Sequence, residues 1–293
     1  MFTQFFGNYL LNKGLVSSSQ LSRALSEQKN TRAKLGVLAI NAGYMTPEQV
    51  DKVHAEQQRV DMRMGDLAVK MGFLTGEQMD ELLSQQGLAH LALGQTLVDS
   101  GVMTNAGFAE ALSSYKAENS LTDVDFTDKT GNKVNEIIAN FYSFTDEPQK
   151  ELLTEYVTLL FKNLIRFIGD DFTPLSPEKI PSARSSYTAV QRTEGAFVSS
   201  TAFDASENAY VSFASRYAGE SLTDADEMAD GANGEFLNLH NGLFSVNVSN
   251  EHGLEIKLVP QEYRRGGIIP GPAYRIAVVF PFGTVCFYVA PGK

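Results

Sequence analysis

The chain has 293 residues, 43% of them apolar and 20% charged, and a net charge of −11, a composition that excludes a disordered chain and suits two globular domains. No apolar run approaches the roughly 18–20 residues that span a bilayer, and the start "MFTQFFGNYLLNKG" lacks a basic region ahead of a long apolar core. No basic face offers itself to nucleic-acid phosphates, so the expectation is a cytoplasmic protein with neither a membrane span nor a nucleic-acid partner.

The front of the chain repeats itself. Units of 24 residues begin at Phe5, Lys34, Arg63 and Ala92 with a period of 29, covering 5–28, 34–57, 63–86 and 92–115. Glycine recurs in register at Gly7, Gly36, Gly65 and Gly94, and again at Gly14, Gly43, Gly72 and Gly101. Each unit reads as two short helices. The first stops at a glycine able to take the left-handed conformation. The second starts at a hydroxyl cap, Ser17, Thr46, Thr75 or Thr104, and in the first three units Gln20, Gln49 or Gln78 completes a capping box. One such hairpin cannot bury its own apolar face, but packed neighbours can. Residues 1–117 are therefore expected to form an all-α repeat domain of helical hairpins.

This pattern resembles the MshEN motif at the N-terminus of secretion and pilus ATPases, where tandem 24-residue units separated by five residues bind cyclic di-GMP. Carried onto this chain, the resemblance implies a ligand site of Lys34, Leu35, Gly36 and Gln57 with Arg63, Met64, Gly65 and Gln86. The chain departs from the motif at its leading arginine, which is Phe5, Lys34 and Ala92 in units one, two and four, and at its final glutamine, which is Tyr115 in unit four. A partner-binding or self-associating array is the alternative.

Residues 118–145 are polar and acidic and read as a linker with one helical patch near Val134–Tyr142. Residues 146–293 follow. "EPQKELLTEYVTLLFKNLIRFIG" is an amphipathic helix whose stripe runs through Leu152, Tyr156, Leu159, Leu160, Asn163 and Phe167 and ends at Gly169. "SSYTAVQRT" and "AYVSFASRYAG" read as strands flanking "EGAFVSSTAF", a third strand or the return of a hairpin, and "LEIKLVP", "YRIAVVF" and "TVCFYVA" read as strands after a second long helix. The "YRRGGIIPGPAYR" stretch reads as a long loop, although Arg264 and Arg265 before two glycines offer a phosphate cradle as an alternative. The order predicts an α+β domain with one antiparallel sheet and two long helices. Cys286 is expected as a small buried hydrophobe. His54, His90, His240 and His252 show no metal-ligand spacing, and no dinucleotide or nucleotide loop or nucleophile elbow occurs, so no metal or cofactor is expected.

Within the second helix lies "DGANGEFLNLHNG", residues 230–242. With 20 Glu and 16 Asn in the chain, about one Glu-x-x-Asn arises by chance, so its setting must decide its meaning. Thr223 is the expected N-cap, with the apolar stripe running through Ala225, Ala229, Ala232, Phe236, Leu239 and Leu243. Asp224, Glu227, Gly231, Glu235, Asn238 and Gly242 fall on another face, with the β-carbons of Glu235 and Asn238 roughly 5–6 Å apart. A glycine inside a helix costs about 1 kcal/mol relative to alanine. Tight internal packing explains Gly234, whereas Gly231 and Gly242 leave bare backbone where another surface can dock.

Glu235, Asn238 and Pro260 resemble the Glu-x-x-Asn and later proline of the CheC/CheX/FliY chemotaxis phosphatases, CheX-like domains in particular. The resemblance implies docking on a phosphorylated CheY-type receiver, which carries its own divalent metal, with Asn238 aligning the attacking water and Glu235 holding the receiver's lysine. It also makes a homodimer plausible. Gly231 stands where that pattern has an acidic or serine residue, and Asp230 lies one place early. The alternative is a non-enzymatic adaptor whose repeats bind cyclic di-GMP or a protein.

Overall fold

The computed structural model describes residues 2–28, 30–84, 89–121, 138, 141–142, 144 and 147–292. The described residues divide into two compact units, one of those up to 121 and the other of those from 138 onward.

In the first unit, each 24-residue segment carries a helix pair: α1 (Phe2–Asn12) with α2 (Ser18–Gln28), α3 (Leu35–Asn41) with α4 (Pro47–Gln57), α5 (Met64–Lys70) with α6 (Gly76–Ser84), and α7 (Ala89–Asp99) with α8 (Asn105–Glu118). The two sets of glycines do different work. Gly14, Gly43, Gly72 and Gly101 sit at φ +68°, +70°, +74° and +71°, the left-handed geometry that lets the chain leave one helix and enter the next. Gly36, Gly65 and Gly94 instead admit the second helix of their own hairpin. A Cβ on Gly36 would stand 2.8 Å from Val50, one on Gly65 2.7 Å from Met79, and one on Gly94 2.7 Å from Cδ2 of Phe108. Thr46 accepts from the Gln49 amide while Gln49 accepts from the Thr46 amide, and Ser17 with Gln20 and Thr75 with Gln78 do the same. The hairpins do not pack in chain order: α7 and α8 lie against both the first and the second pair, and the third pair against the second.

Three residues of the span read as linker belong to the core of the second unit. Ile138, Tyr142 and Phe144 are buried, with Tyr142 donating to the carbonyl of Leu175 at 3.2 Å. Of the expected 134–142 helical patch, residues 138, 141 and 142 are described and the others lie outside the described residues.

The second unit is an antiparallel sheet with three helices. Among the described residues they are α9 (Lys150–Phe167), α10 (Glu207–Ala218) and α11 (Glu227–His252); α10 is a helix beyond the two long ones expected. The sheet runs β1 (Thr173–Pro174), β7 (Ile268–Phe280), β8 (Gly283–Pro291), β4 (Ser199–Ala205), β3 (Tyr187–Gly195) and β5 (Ile256–Leu258), with β2 (Glu178–Arg184) on β7 and β6 (Glu262–Arg265) on β3. All pairings are antiparallel.

"AYVSFASRYAG" is helix α10 rather than a strand. Its aromatic and β-branched residues favour strands, yet Tyr210, Phe213 and Ala214 are spaced to bury one helical face, and Gly219 at φ +72° closes it. "YRRGGIIPGPAYR" is not a loop: β6, paired with β3, passes through Gly266 and Gly267, both at positive φ, into β7, paired with β2 and β8.

Helix α11 starts three residues later than expected. Asp226, not Thr223, caps it, accepting from the amides of Met228 and Ala229; the Thr223 hydroxyl donates to Asp224 instead. Its buried face is also rotated, running through Ala229, Asn233, Phe236, Leu237, His240, Asn241, Phe244 and Val248. Three polar residues on that face found partners in other elements, so apolar periodicity alone put the core one position off. The stripe of α9 is similarly centred on Leu153, Tyr156, Val157, Leu160 and Leu164 rather than Leu152 and Leu159. Behind these helices an aromatic core joins Phe203, Phe213, Phe236 and Phe287. Asp171 and Arg216 form a bidentate pair at 2.6 and 2.9 Å.

Candidate functional site

Glu235 and Asn238 stand in the middle of α11, a 26-residue helix held against β3, β5 and the other two helices. Glu235 is exposed and Asn238 half-buried. Gly231, one turn before Glu235, is exposed with nothing within 4 Å of where a Cβ would lie. Gly242 is half-buried, and its Cβ would come only within 3.9 Å of Leu258. Gly234 differs: a Cβ there would stand 2.6 and 2.7 Å from Cε1 and Cζ of Tyr263. Internal packing accounts for that glycine and not for the other two.

Helical spacing places Met228, Gly231, Glu235, Asn238, Gly242 and Val246 along one side of α11. Met228 is 60% and Val246 55% exposed, so apolar shoulders bracket the polar pair; sequence reading missed both. Tyr217 from α10 and Tyr263 from β6 stand close to Glu235. Burial pushes both phenols up; the Glu235 carboxylate adds to the rise at Tyr217, and Asp230 and then Glu235 add to it at Tyr263. Asp230 does not face this ridge. It accepts from Arg265 and from the Tyr210 hydroxyl, each at 2.7 Å, while Arg265 lies over the rings of Tyr187 and Tyr210. Arg264 is paired with Glu262 at 2.7 Å, so both arginines of the alternative phosphate cradle are bonded to carboxylates. Pro260 lies exposed between β5 and β6.

Asn238 is anchored from below. Its Oδ1 accepts from Nε2 of Gln191 on β3 at 2.8 Å, and the same nitrogen donates to the Val259 carbonyl at 3.0 Å. Gln191 Oε1 accepts from Asn241 Nδ2 at 2.7 Å. Asn241 also donates to the Thr201 hydroxyl and accepts from the Tyr156 hydroxyl. Gln191, Asn241, Thr201 and Tyr156 are all at most 2% exposed. Beside them His240 is buried, 4.3 Å from the Tyr156 ring and 3.1 Å from Asn163. Burial lowers its pKa to about 3, so this histidine is a neutral core group.

Two cavities lie elsewhere. One of about 390 Å³ opens between α9 and α11 beside Glu155, Lys162 and Glu251. The other, about 300 Å³, lies beside Arg192, Ser200 and Ile269. Neither is lined by Glu235 or Asn238. Among the described residues Glu155, Glu251 and His252 bring ligand atoms within 4.8 Å of one another, a grouping that linear spacing does not reveal. There His252 and Glu155 already bond each other at 3.0 and 3.1 Å.

In the first unit, motif residues of segments two and three meet reciprocally. Met64 lies against Gly36, and Leu35 against Gly65, each 3.1 Å from a would-be Cβ. Lys34 is exposed and bonds both oxygens of Asp99 at 2.8 Å. Arg63 is exposed, Gln57 donates to the Met62 carbonyl at 3.1 Å, and Gln86 lies outside the described residues. Each departure from the motif other than Lys34 has a core role. Phe5, Ala92 and Tyr115 are buried, and Tyr115 packs 5.3 Å from both Phe6 and Tyr9. Cys286 is half-buried, and burial pushes its thiol up. Among the described residues no helix is long and apolar enough to cross a membrane.

No family model matches the chain, and no curated protein does. Among solved structures it is similar to a chemotaxis protein CheX from Desulfovibrio desulfuricans, at 19% identity over 48% of this chain and 99% of that one, with a TM-score of 0.43. It is also similar to a chemotaxis protein CheX from Vibrio vulnificus, at 16% identity over 48% of this chain and 99% of that one, TM-score 0.43. A chain of the CheX–CheY–BeF3–Mg complex from Borrelia burgdorferi is similar at 14% identity, over 48% of this chain and 98% of that one, TM-score 0.43.

Proposed function

We propose that the second unit docks on a phosphorylated CheY-type receiver and hydrolyses its aspartyl phosphate. The observation that carries this reading is the ridge of α11: an exposed carboxylate and a buttressed carboxamide one turn apart, with open backbone at Gly231. An aspartyl phosphate is an acyl phosphate, already reactive, and the receiver supplies the divalent metal. What remains is positioning a water in line with the phosphorus. The Asn238 carboxamide suits that task, since its oxygen can accept from water and its NH2 can donate to a phosphoryl oxygen. Glu235, at the exposed edge, pairs with the receiver's active-site lysine and fixes the docking register.

Incubating the full chain with phosphorylated receivers and following phosphate loss tests the reading. Accelerated loss with at least one receiver is expected; none with any receiver overturns it.

One observation favours a second reading, an adaptor without turnover whose repeats bind cyclic di-GMP or a protein. No acidic group stands one turn before Glu235, because Gly231 is there and Asp230 is committed to Arg265 and Tyr210. Stable receiver binding without phosphate release would decide for the adaptor.

A further inference from the structure

Resting on the phosphatase reading, we infer that Gln191 is the positioning residue of the site: it sets which end of the Asn238 carboxamide faces outward. Each bond in the chain beneath Asn238 has a fixed direction, and the direction originates in the backbone. The Val259 carbonyl can only accept, so the end of Gln191 that faces it at 3.0 Å must be Nε2. That nitrogen also meets Asn238 at 2.8 Å, so the end of Asn238 turned inward must be its oxygen. The other end of Gln191 is then an acceptor, and Asn241 meets it with Nδ2 at 2.7 Å. Two hydroxyls close the circuit. Thr201 donates to the Gln191 backbone carbonyl and accepts from Asn241, and Tyr156 donates to Asn241 Oδ1.

The consequence is chemical. With one lone pair of Oδ1 taken by Gln191, Asn238 presents its NH2 to the docking side and keeps one acceptor position on the oxygen. The NH2 then meets an equatorial phosphoryl oxygen, and the remaining lone pair receives the in-line water. Without Gln191 the amide can turn over by a half-rotation and offer oxygen to an anionic phosphoryl group, which repels it. The network also keeps α11 in register with β3, so the carboxamide is held by the sheet rather than by its own rotamer preference.

The test compares Gln191→Met, which keeps volume and removes the donor, and Gln191→Glu, which replaces the donor by an acceptor, with wild type and Asn238→Ala. Turnover is read on a phosphorylated receiver and affinity on the same receiver loaded with beryllofluoride. Both Gln191 variants are expected to lose roughly ten- to a hundredfold in kcat while receiver affinity stays within about twofold. An unchanged kcat in Gln191→Met, with Asn238→Ala inactive, overturns the positioning role and leaves the phosphatase reading standing. An Asn238→Ala variant as active as wild type overturns the phosphatase reading itself. Side-chain amide exchange in the 15N-labelled wild type gives a readout free of any variant's folding. The Gln191 NH2 is expected to be protected and the Asn238 NH2 to exchange freely; the reverse pattern overturns the assigned orientation.

Discussion

The ring of Tyr263, carried on β6, lies across the backbone of Gly234 on α11, closer than any side chain at 234 would allow. The close approach lets β6 lie against the helix beside Glu235. Gly234→Ala therefore forces the ring away, and the expected loss is about 1–3 kcal/mol in spite of alanine's better helix propensity. Gly231→Ala meets nothing and should stabilise by about 1 kcal/mol. Chemical unfolding of the full chain checks both signs. In a Tyr263→Ala background the penalty at 234 should vanish; if it persists, the ring is not its cause.

On the proposed reading the two residues of the ridge have separable tasks. Asn238→Ala should abolish receiver dephosphorylation and leave binding nearly intact, because the role proposed for the carboxamide is on the reacting atoms. Glu235→Ala should lower affinity as well as turnover, by about tenfold or more for a desolvated ion pair. Stopped-flow turnover and a binding isotherm on the same receiver separate the effects. A wild-type rate for Asn238→Ala, or an unchanged affinity for Glu235→Ala, removes the assigned role.

Much of this was readable without coordinates, for physical reasons that differ by residue. Repeating glycines are visible because their demands, positive φ at Gly43 and close helix approach at Gly65, exclude other residues at fixed spacing. Glu235 and Asn238 are legible because helical geometry alone makes them neighbours. The buried side of α11 was not, since Asn233, His240 and Asn241 take their partners from α9, α10 and β3, and hydropathy counts them as outward. Gln191 is invisible for the same reason: its bond to Asn238 spans 47 positions. The strand reading of 209–219 followed local β-propensity, which packing of Tyr210 and Phe213 against the sheet overrode. β1, β2 and β6 are two, seven and four residues long, with prolines in the first two, and lack the alternation that marks a strand.

Bare backbone at Gly231 bears on docking independently of the chemistry. Gly231→Phe adds a side chain into open space, so the thermal midpoint should hold or rise slightly. Receiver affinity should nonetheless fall by about tenfold or more, since a bulky group one turn from Glu235 holds the partner off the ridge. Calorimetry for stability and an isotherm for binding check this. Unaltered affinity would place the docking surface elsewhere.

The neutral core histidine ties the stability of the second unit to pH. His240 has a pKa of about 3 in the folded chain against 6.5 for the free side chain, with burial as the cause. Its Nδ1 faces the Asn163 amide at 3.1 Å, and its Nε2 has no partner; the ring against it is that of Tyr156, itself uncharged because burial pushes that phenol up. Below 6.5 the unfolded chain takes up a proton that the folded chain refuses. The contribution is therefore complete above pH 6.5 and is lost as pH falls toward 3, at up to about 1.4 kcal/mol per unit. Between pH 7 and pH 5 that amounts to a loss of about 2 kcal/mol. Urea unfolding of wild type and His240→Gln at both values isolates the term, because carboxylates such as Glu147 titrate in both proteins. The variant should lose about 2 kcal/mol less than wild type over this interval, and identical losses would mean that the imidazole gains its proton without unfolding.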